Sequence, residues 1–302
     1  MISKKKVIIT GAAGQDGLIL SKILLKKKFE VYGIIKNKKY ENLNKKVKYL
    51  KTDIKNKKKI SNFIKKIKPN VIVHLAANNP SYIDRINKNK FYSENFSFTK
   101  ILIKSLIKND LNVKFIFANS SQIFSKKKRL VNEKSNFLIS NRYNKFRIDI
   151  LKFLKKYEKN KKFSYINLVL FNHDSKFRNN KFLFPRLIKA IKFRKINFIK
   201  TIYKENIIAD FSHAEDICQA IYLIIKNNIS INNLIISSGK KTKVNDLIDY
   251  LINKHALSIK IKVKQKKNNN YLIGNNKLAK KLLKWRPRKS IYDAVDEIYN
   301  FI

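Results

Sequence analysis

Apolar positions along the chain fall into short β-branched runs separated by stretches with a helical repeat. Val7, Ile8 and Ile9 are an unbroken apolar run, the pattern of a strand covered on both faces of a parallel sheet. Behind it Leu18, Ile19, Ile23 and Leu24 recur at helical spacing. The same succession repeats. Further strands are predicted over residues 30–35, 47–50, from 71 into the alanines after His74, 113–118 and 163–170. Helices are predicted over about 56–68, through FYSENFSFTKILIKSLI, and from Tyr143 to about Tyr157. The first of these three ends before Pro69, because the residue preceding a proline resists the helical conformation. Beyond residue 170 the periodicity becomes mixed.

Between the first strand and its helix lies GAAGQDG, with Gly11, Gly14 and Gly17 spaced three apart. Gly11 can turn tightly, Gly14 lets the backbone approach a pyrophosphate, and Gly17 allows the helix to lie close on the strand. The helix start adds free N–H groups and a positive dipole end. Strand, turn and helix are all present, so a nucleotide-binding turn is expected at the start of an α/β fold, a doubly wound parallel sheet of the Rossmann class. No Pro-, Gly- or Ser-rich linker divides the chain and no internal repeat is present. A cofactor half over about 1–170, rejoined by about 207–238, must therefore interleave with a substrate half over 171–302. A smaller C-terminal substrate-binding lobe from about 172–190, 246–253 and 275–302 is expected to cap the sheet.

Charge changes the picture less than its size suggests. The 302 residues carry 69 Lys and Arg against 20 Asp and Glu, a formal net charge of +49. Such an excess ordinarily points to a polyanion partner. Here the lysines are spread along the whole chain, on the surface positions of nearly every helix, in company with very frequent asparagine and isoleucine. All three are encoded largely by A and T, so the excess reads as compositional drift. No specific nucleic-acid partner is expected, only salt-sensitive adhesion. The single cysteine, Cys218, excludes an intrachain disulfide and shares a helical face with Ala214, Ile217 and Ile221, which predicts packing rather than chemistry. With no secretory run after MISKKKV, no membrane-length apolar stretch and no metal-ligand pattern, the expectation is a cytoplasmic protein with no membrane partner and no metal.

Two further places bear on chemistry. After the second strand an acid would bond the ribose hydroxyls of NAD, but the chain has Lys36, Asn37, Lys38 and Lys39, which suit the 2′-phosphate of NADP. After the fifth strand comes NSSQIF, with Ser120, Ser121 and Gln122 at the strand end where ligands sit in such sheets. Tyr143 and Arg147, four apart, share one helical face.

The G-x-x-G-x-x-G spacing resembles the extended short-chain dehydrogenase/reductase superfamily, and GAAGQDG with its Gln15-Asp16 pair resembles the GDP-mannose 4,6-dehydratase family within it. VIVHLAAN (71–78) resembles that superfamily's strand-four signature. LFNHDS (170–175) resembles the dehydratase segment that holds the nucleotide diphosphate. ADFSHAEDI (209–217) is similar at Asp210, His213, Ala214 and Asp216, and IGNNKLAKKLLKWRP (273–287) at Gly274, Ala279, Lys280, Trp285 and Pro287.

The resemblance implies a nucleotide-sugar-modifying enzyme with tightly bound NADP, a GDP-sugar substrate and a homo-oligomeric state. Tyr143 would exchange a proton with the sugar hydroxyl, Ser120 would hold that hydroxyl, and Arg147 stands where relatives carry a lysine that bonds the nicotinamide ribose. Cofactor contacts would come from Gly11, Gly14, Gln15, Asp16, Gly17, Lys36, Asp53, Ile54, Leu75, Ala76, Ala77 and His173, as well as Tyr143 and Arg147. Asn172, Arg178 and Arg186 would face the substrate, Asn95 would brace the strands, and His74 is read as a packed strand residue.

Three departures stand against this. Gln122 occupies the place of the glutamate that removes the C5 proton, Arg147 replaces the lysine, and Ala209 and the region of Asn270 lack the arginines that bind diphosphate. Two alternatives follow: a 4-keto nucleotide-sugar reductase or epimerase, which needs no carboxylate at 122, and a catalytically impaired NADP-binding partner protein.

Overall fold

The computed structural model describes residues 4–36, 38–77, 88–125 and 129–302. Asn37 and Asn78, named above, lie outside them. The first half runs β1 (Lys6–Thr10), α1 (Gln15–Lys26), β2 (Glu30–Ile35), β3 (Lys48–Lys51), α2 (Lys57–Ile67), β4 (Val71–His74), α3 (Lys88–Lys108), β5 (Val113–Ser120), β6 (Leu130–Val131) and α4 (Arg142–Lys155). There follow β7 (Phe163–Leu170), β8 (Asn172–Asp174), α5 (Leu183–Lys192), α6 (Ile196–Glu205), β9 (Ile208–Ala209), β10 (Phe211–His213), α7 (Ala214–Lys226) and β11 (Asn233–Ile236). The chain ends with β12 (Thr242–Lys243), α8 (Val244–Lys254), β13 (Ile273–Gly274), α9 (Lys277–Leu283) and α10 (Ile291–Phe301).

Seven strands form one parallel sheet in the order β11-β7-β5-β4-β1-β2-β3. The chain reverses direction across the sheet between β1 and β4, and the carboxyl ends of those strands open the crevice where doubly wound folds bind ligands. Side chains alternate across the sheet as the strand repeat of two requires. Val7, Ile9, Val31, Val71 and Val73 face α1 and α7 on one side, while Ile8, Tyr32, Ile72, Phe115 and Phe117 face α2, α3 and α4 on the other. Cys218 is fully buried in the first of these cores. A third core joins α5, α6, α8 and α10 through Phe184, Ile188, Ile199, Leu247, Ile248 and Val295.

Helix α2 starts where Asn56 accepts a hydrogen bond from Lys59 N at 3.0 Å, and it stops at Lys68, which turns left-handed (φ 50°) before Pro69. The fifth strand runs two residues past its expected end, because β7 pairs with it as far as Ser120↔Leu170. The two late motifs hold each other. The Asp210 carboxylate accepts bonds from Ser238 N, Ser238 Oγ, Gly239 N and Gly274 N at 2.6–3.1 Å. Asp216 accepts from Arg288 N and Lys289 N, and Trp285 Nε1 donates to its carbonyl. Among the described residues no helix is long and apolar enough to cross a membrane.

Candidate active site

A cleft of about 860 Å³ opens at the carboxyl ends of β1, β4, β5 and β7 and extends under α5. At its base is the glycine turn. Gly11 adopts φ +71°, and a Cβ there would lie 2.9 Å from Ala76 N. A Cβ on Gly17 would lie 2.5 Å from Ala12 Cα and Gly11 O, so the helix can sit this close to the turn only with glycine. Gly14 is the N-cap of α1 and supplies no capping side chain. The first-turn N–H groups, which have no partner within a helix, are thus left for an anionic ligand. A pyrophosphate fits this cradle.

Asp16 in the first turn of α1 reaches across the cleft base to His173 on β8, with Oδ2 3.0 Å from Nε2. The other ring nitrogen, Nδ1, lies 2.6 Å from Phe171 O, so it carries a proton and donates to that carbonyl. Burial opposes ionisation of Asp16, but the charge and hydrogen bond of His173, with Arg178 behind, outweigh it and bring the carboxyl down to about 2. Burial likewise opposes the imidazolium, and the Asp16 carboxylate outweighs it, raising the His173 pKa. Gln15 completes the group: its Nε2 donates to Asp16 Oδ1 at 3.0 Å and its Oε1 accepts from Ser175 Oγ at 3.1 Å. One network therefore ties the nucleotide turn to the LFNHDS segment, 157 residues later.

The end of β5 and helix α4 form the opposite wall. Asn141 caps α4 by accepting from Asn144 N at 2.9 Å, which sets the helix start and places Tyr143 in its first turn. Arg147 is buried, and its guanidinium spans two partners: Nη2 donates to Tyr143 Oη at 2.9 Å, and Nη1 donates to the Ala118 carbonyl. The rings of Tyr143, Phe146 and Phe117 surround it, with centroids 5.0, 5.1 and 5.7 Å away. Ser120 Oγ accepts from Gln122 N at 3.3 Å, which leaves its hydroxyl proton for an acceptor in the cleft. The Gln122 side chain is exposed at the cleft rim.

His74 lies beneath. Its Nδ1 is 2.7 Å from Thr10 Oγ1 and its Nε2 is 2.9 Å from Thr99 Oγ1. Burial, with the Arg147 charge nearby, pushes its pKa down to about 3, so the ring stays neutral and serves as a strand-to-helix brace.

Of the described cofactor and substrate positions expected from the sequence, all line this cleft except Lys39 and Asp53. The Asp53 carboxylate accepts from Lys55 N at 2.8 Å in its own exposed turn, and the lining at that point is Ile54. Lys36 lies at the end of β2 beside Lys38 and Tyr40, with Lys38 Nζ 4.9 Å from the Tyr40 ring centroid. Leu75, Ala76 and Ala77 continue from β4 along the floor. On the far side Asn172 is exposed to the cleft, Arg178 Nε lies 3.0 Å from Asp174 Oδ1 with its guanidinium 3.5 Å over Phe182, and Arg186 lies over Phe198. Tyr40, Phe98, Asn119, Asp174, Phe177 and Lys181 also line the cleft and were not expected. Asp174 and Asn119 lay inside motifs already singled out; the others carry no local signal, because only the fold brings them to the cleft. Asp16 and Asp174 are the only carboxylates among the described lining residues.

The chain matches the family model for GDP-mannose 4,6 dehydratase over residues 8–298. It is 22% identical over 340 aligned positions to a GDP-mannose 4,6 dehydratase of Dictyostelium discoideum, covering 98% of this chain and 95% of that one. It is 27% identical over 265 positions to a GDP-6-deoxy-D-talose 4-dehydrogenase of Aggregatibacter actinomycetemcomitans, covering 84% and 82%. Among solved structures, a UDP-glucose 4-epimerase superposes with a TM-score of 0.85 at 17% identity over 98% of this chain and 97% of that one. A UDP-glucuronic acid 4-epimerase from Bacillus cereus in complex with NAD superposes with a TM-score of 0.80 at 20% identity, covering 98% and 96%. These structures share its fold. A match that spans almost the whole chain, with the glycine turn, the Tyr143–Arg147 pair and the LFNHDS segment gathered on one cleft, places this chain in the GDP-mannose 4,6 dehydratase family.

Proposed function

We propose that the cleft binds NADP and a GDP-sugar and oxidises the sugar at C4, the first half of a 4,6-dehydration whose hydride returns to C6. The observation that carries this reading is the Tyr143 phenol held by Arg147 on the same cleft as the glycine turn. The turn would hold the pyrophosphate, Lys36 and Lys38 the 2′-phosphate, and Ala76 and Ala77 would let the cofactor pass close to the floor. When bound, NADP supplies the hydride acceptor and donor.

The protein's part is to move protons and hold the sugar. Tyr143 Oη takes the C4 hydroxyl proton as the C4–H bond gives up its hydride. Arg147 is a permanent cation whose Nη2 donates to that oxygen at 2.9 Å, so it holds the phenol oxygen in place against the sugar. Ser120 donates its hydroxyl proton to the same sugar oxygen. The C4 ketone acidifies C5, and loss of water across C5 and C6 then needs a base on that side. Gln122 cannot accept a proton at neutral pH, and absence of a general base costs roughly 10²–10⁴ in rate.

Incubation with NADP⁺ and a panel of GDP-, UDP- and dTDP-sugars, with products read by mass, tests the reading. GDP-mannose is expected to be turned over, and a panel in which no sugar is oxidised would contradict it. Gln122 and the similarity to a GDP-6-deoxy-D-talose 4-dehydrogenase favour a second reading, C4 reduction of a keto sugar without dehydration. That reading expects products that differ by two hydrogens and never by water. NADP is expected to bind more tightly than NAD, because Lys36 and Lys38 meet the 2′-phosphate; equal dissociation constants would overturn the cofactor assignment.

A further inference from the structure

Asn119, Asn167 and Asn233 lie on three adjacent strands, β5, β7 and β11, and are joined side chain to side chain. Asn119 Nδ2 donates to Asn167 Oδ1 at 2.8 Å, and Asn167 Nδ2 donates to Asn233 Oδ1 at 2.8 Å. The ladder ends on the backbone of Ser120, whose N–H donates to Asn119 Oδ1 at 2.8 Å. A backbone N–H can only donate, so it turns the Asn119 carbonyl oxygen toward itself and the Asn119 amide toward Asn167. By the same rule Asn167 must present its oxygen to Asn119 and its amide to Asn233. Every rung thus has one orientation, set from the Ser120 end.

Asn167 is fully buried and Asn119 nearly so, in a sheet whose interior is mostly Leu, Ile, Val and Phe. Buried amides in such a place are costly unless every bond is made, and here the bonds converge on one peptide. Strand β7 pairs with that stretch on one side only. Strand β4 ends with the pair His74↔Phe117, so residues 118–120 run on with no partner strand on the other side. Arg147 grips the Ala118 carbonyl, and the asparagines grip the next peptide.

We propose that the Asn119–Asn167–Asn233 ladder is a positioning device that fixes the Ser120 peptide, and through it the serine hydroxyl, against the sugar. Asn167 and Asn233 act at a distance from the substrate and are positioning residues. The inference rests on the reading of Ser120 as the residue that holds the sugar C4 hydroxyl.

The test uses the full chain with NADP⁺ and GDP-mannose as probe. Asn167→Leu, of similar volume, removes both inner bonds. It is expected to lower kcat for C4 hydride transfer about 10- to 100-fold, the scale of a misplaced reacting group, with KM and the NADP dissociation constant within about two-fold of the parent. Asn167→Asp keeps the oxygen facing Asn119 and is expected to recover most of the loss. In a Ser120→Ala background, Asn167→Leu should cost nothing more, since the ladder acts through Ser120.

A folded Asn167→Leu enzyme with unchanged kcat overturns the proposal. So does a loss fully additive with that of Ser120→Ala, because it assigns the asparagines to the fold alone. A Ser120→Ala enzyme as fast as the parent overturns instead the reading of Ser120, and the ladder's role with it. Should Asn167→Leu not fold, Asn233→Leu at the half-buried outer rung is read the same way. Its expected kcat loss is about 3- to 10-fold, milder than at the inner rung, and it should vanish in the Ser120→Ala background; an unchanged kcat there overturns the proposal.

Discussion

Asp16 and His173 hold the cleft base by charge, and their opposed shifts fix a pH window. The Asp16 carboxyl is depressed to about 2, so its contribution is present above its ordinary value of 3.8 and is lost only as pH falls through about 2. The His173 pKa is raised above 6.5, so its contribution is full below 6.5 and is lost as pH rises through the raised value. The link between α1 and β8 should therefore hold from mild acid through neutrality and weaken on the alkaline side. Denaturation midpoints measured across pH should show this alkaline decline in the parent and none in His173→Gln. Asp16→Asn should abolish it, because burial then opposes the imidazolium without the carboxylate that outweighs it, and a His173 ring titrating at or below 6.5 in NMR would contradict the assignment. At this scale the sequence was partly readable. Tyr143 and Arg147 could be placed on one helical face from their spacing, but the bond from Arg147 to the Ala118 carbonyl could not, since it joins a helix to a strand end 29 residues earlier. Asp53 followed from a resemblance in position; its Oδ1 accepts from Lys55 N in its own turn, and Ile54 lines the cleft there.

The glycine turn is the element whose local sequence and three-dimensional form agree most closely. Its three glycines have different reasons, and these can be separated. Gly17→Ala would push a Cβ into backbone at 2.5 Å and should destabilise the fold by about 1–3 kcal/mol, the usual cost of overpacking. Gly14 has φ −82° and its Cβ would meet only Gly11 O at 3.3 Å, so Gly14→Ala should fold normally and lose NADP affinity. Denaturant titration and cofactor binding on the two variants check this; a Gly14→Ala protein with undiminished NADP affinity would remove the pyrophosphate from that position. The long strands and helices were legible because each carries its own apolar repeat. Strands β6, β8, β9, β10, β12 and β13 were not. Each has two or three residues and exists only through pairing with a distant segment, as Ile273↔Leu130 does.

At the scale of the whole molecule, the reversal of strand order between β1 and β4 decides what can meet. It brings a turn at residues 11–17, a strand end at 118–122, a helix at 143–147 and a segment at 170–186 to one cleft. The order of these parts was visible in the sequence. Their distances were not, because they depend on packing of a third core whose mixed periodicity gave no clear elements. The +49 charge is carried by lysines spread over this whole surface rather than gathered at the cleft, so the chemistry is assigned to named residues there. On the proposed reading two positions divide the reaction: Tyr143 would serve the C4 oxidation, and a carboxylate at 122 would serve removal of the C5 proton. Gln122→Glu is therefore expected to raise isotope exchange at C5 while leaving C4 hydride transfer nearly unchanged. The most direct test of the account is stopped-flow formation of NADPH by Tyr143→Phe with the true sugar nucleotide. NADP should still bind, since the glycine turn is untouched, and the rate should fall by at least about 10²-fold, as expected for loss of a general acid–base group; NADPH formation at the parent's rate would contradict the assignment of Tyr143.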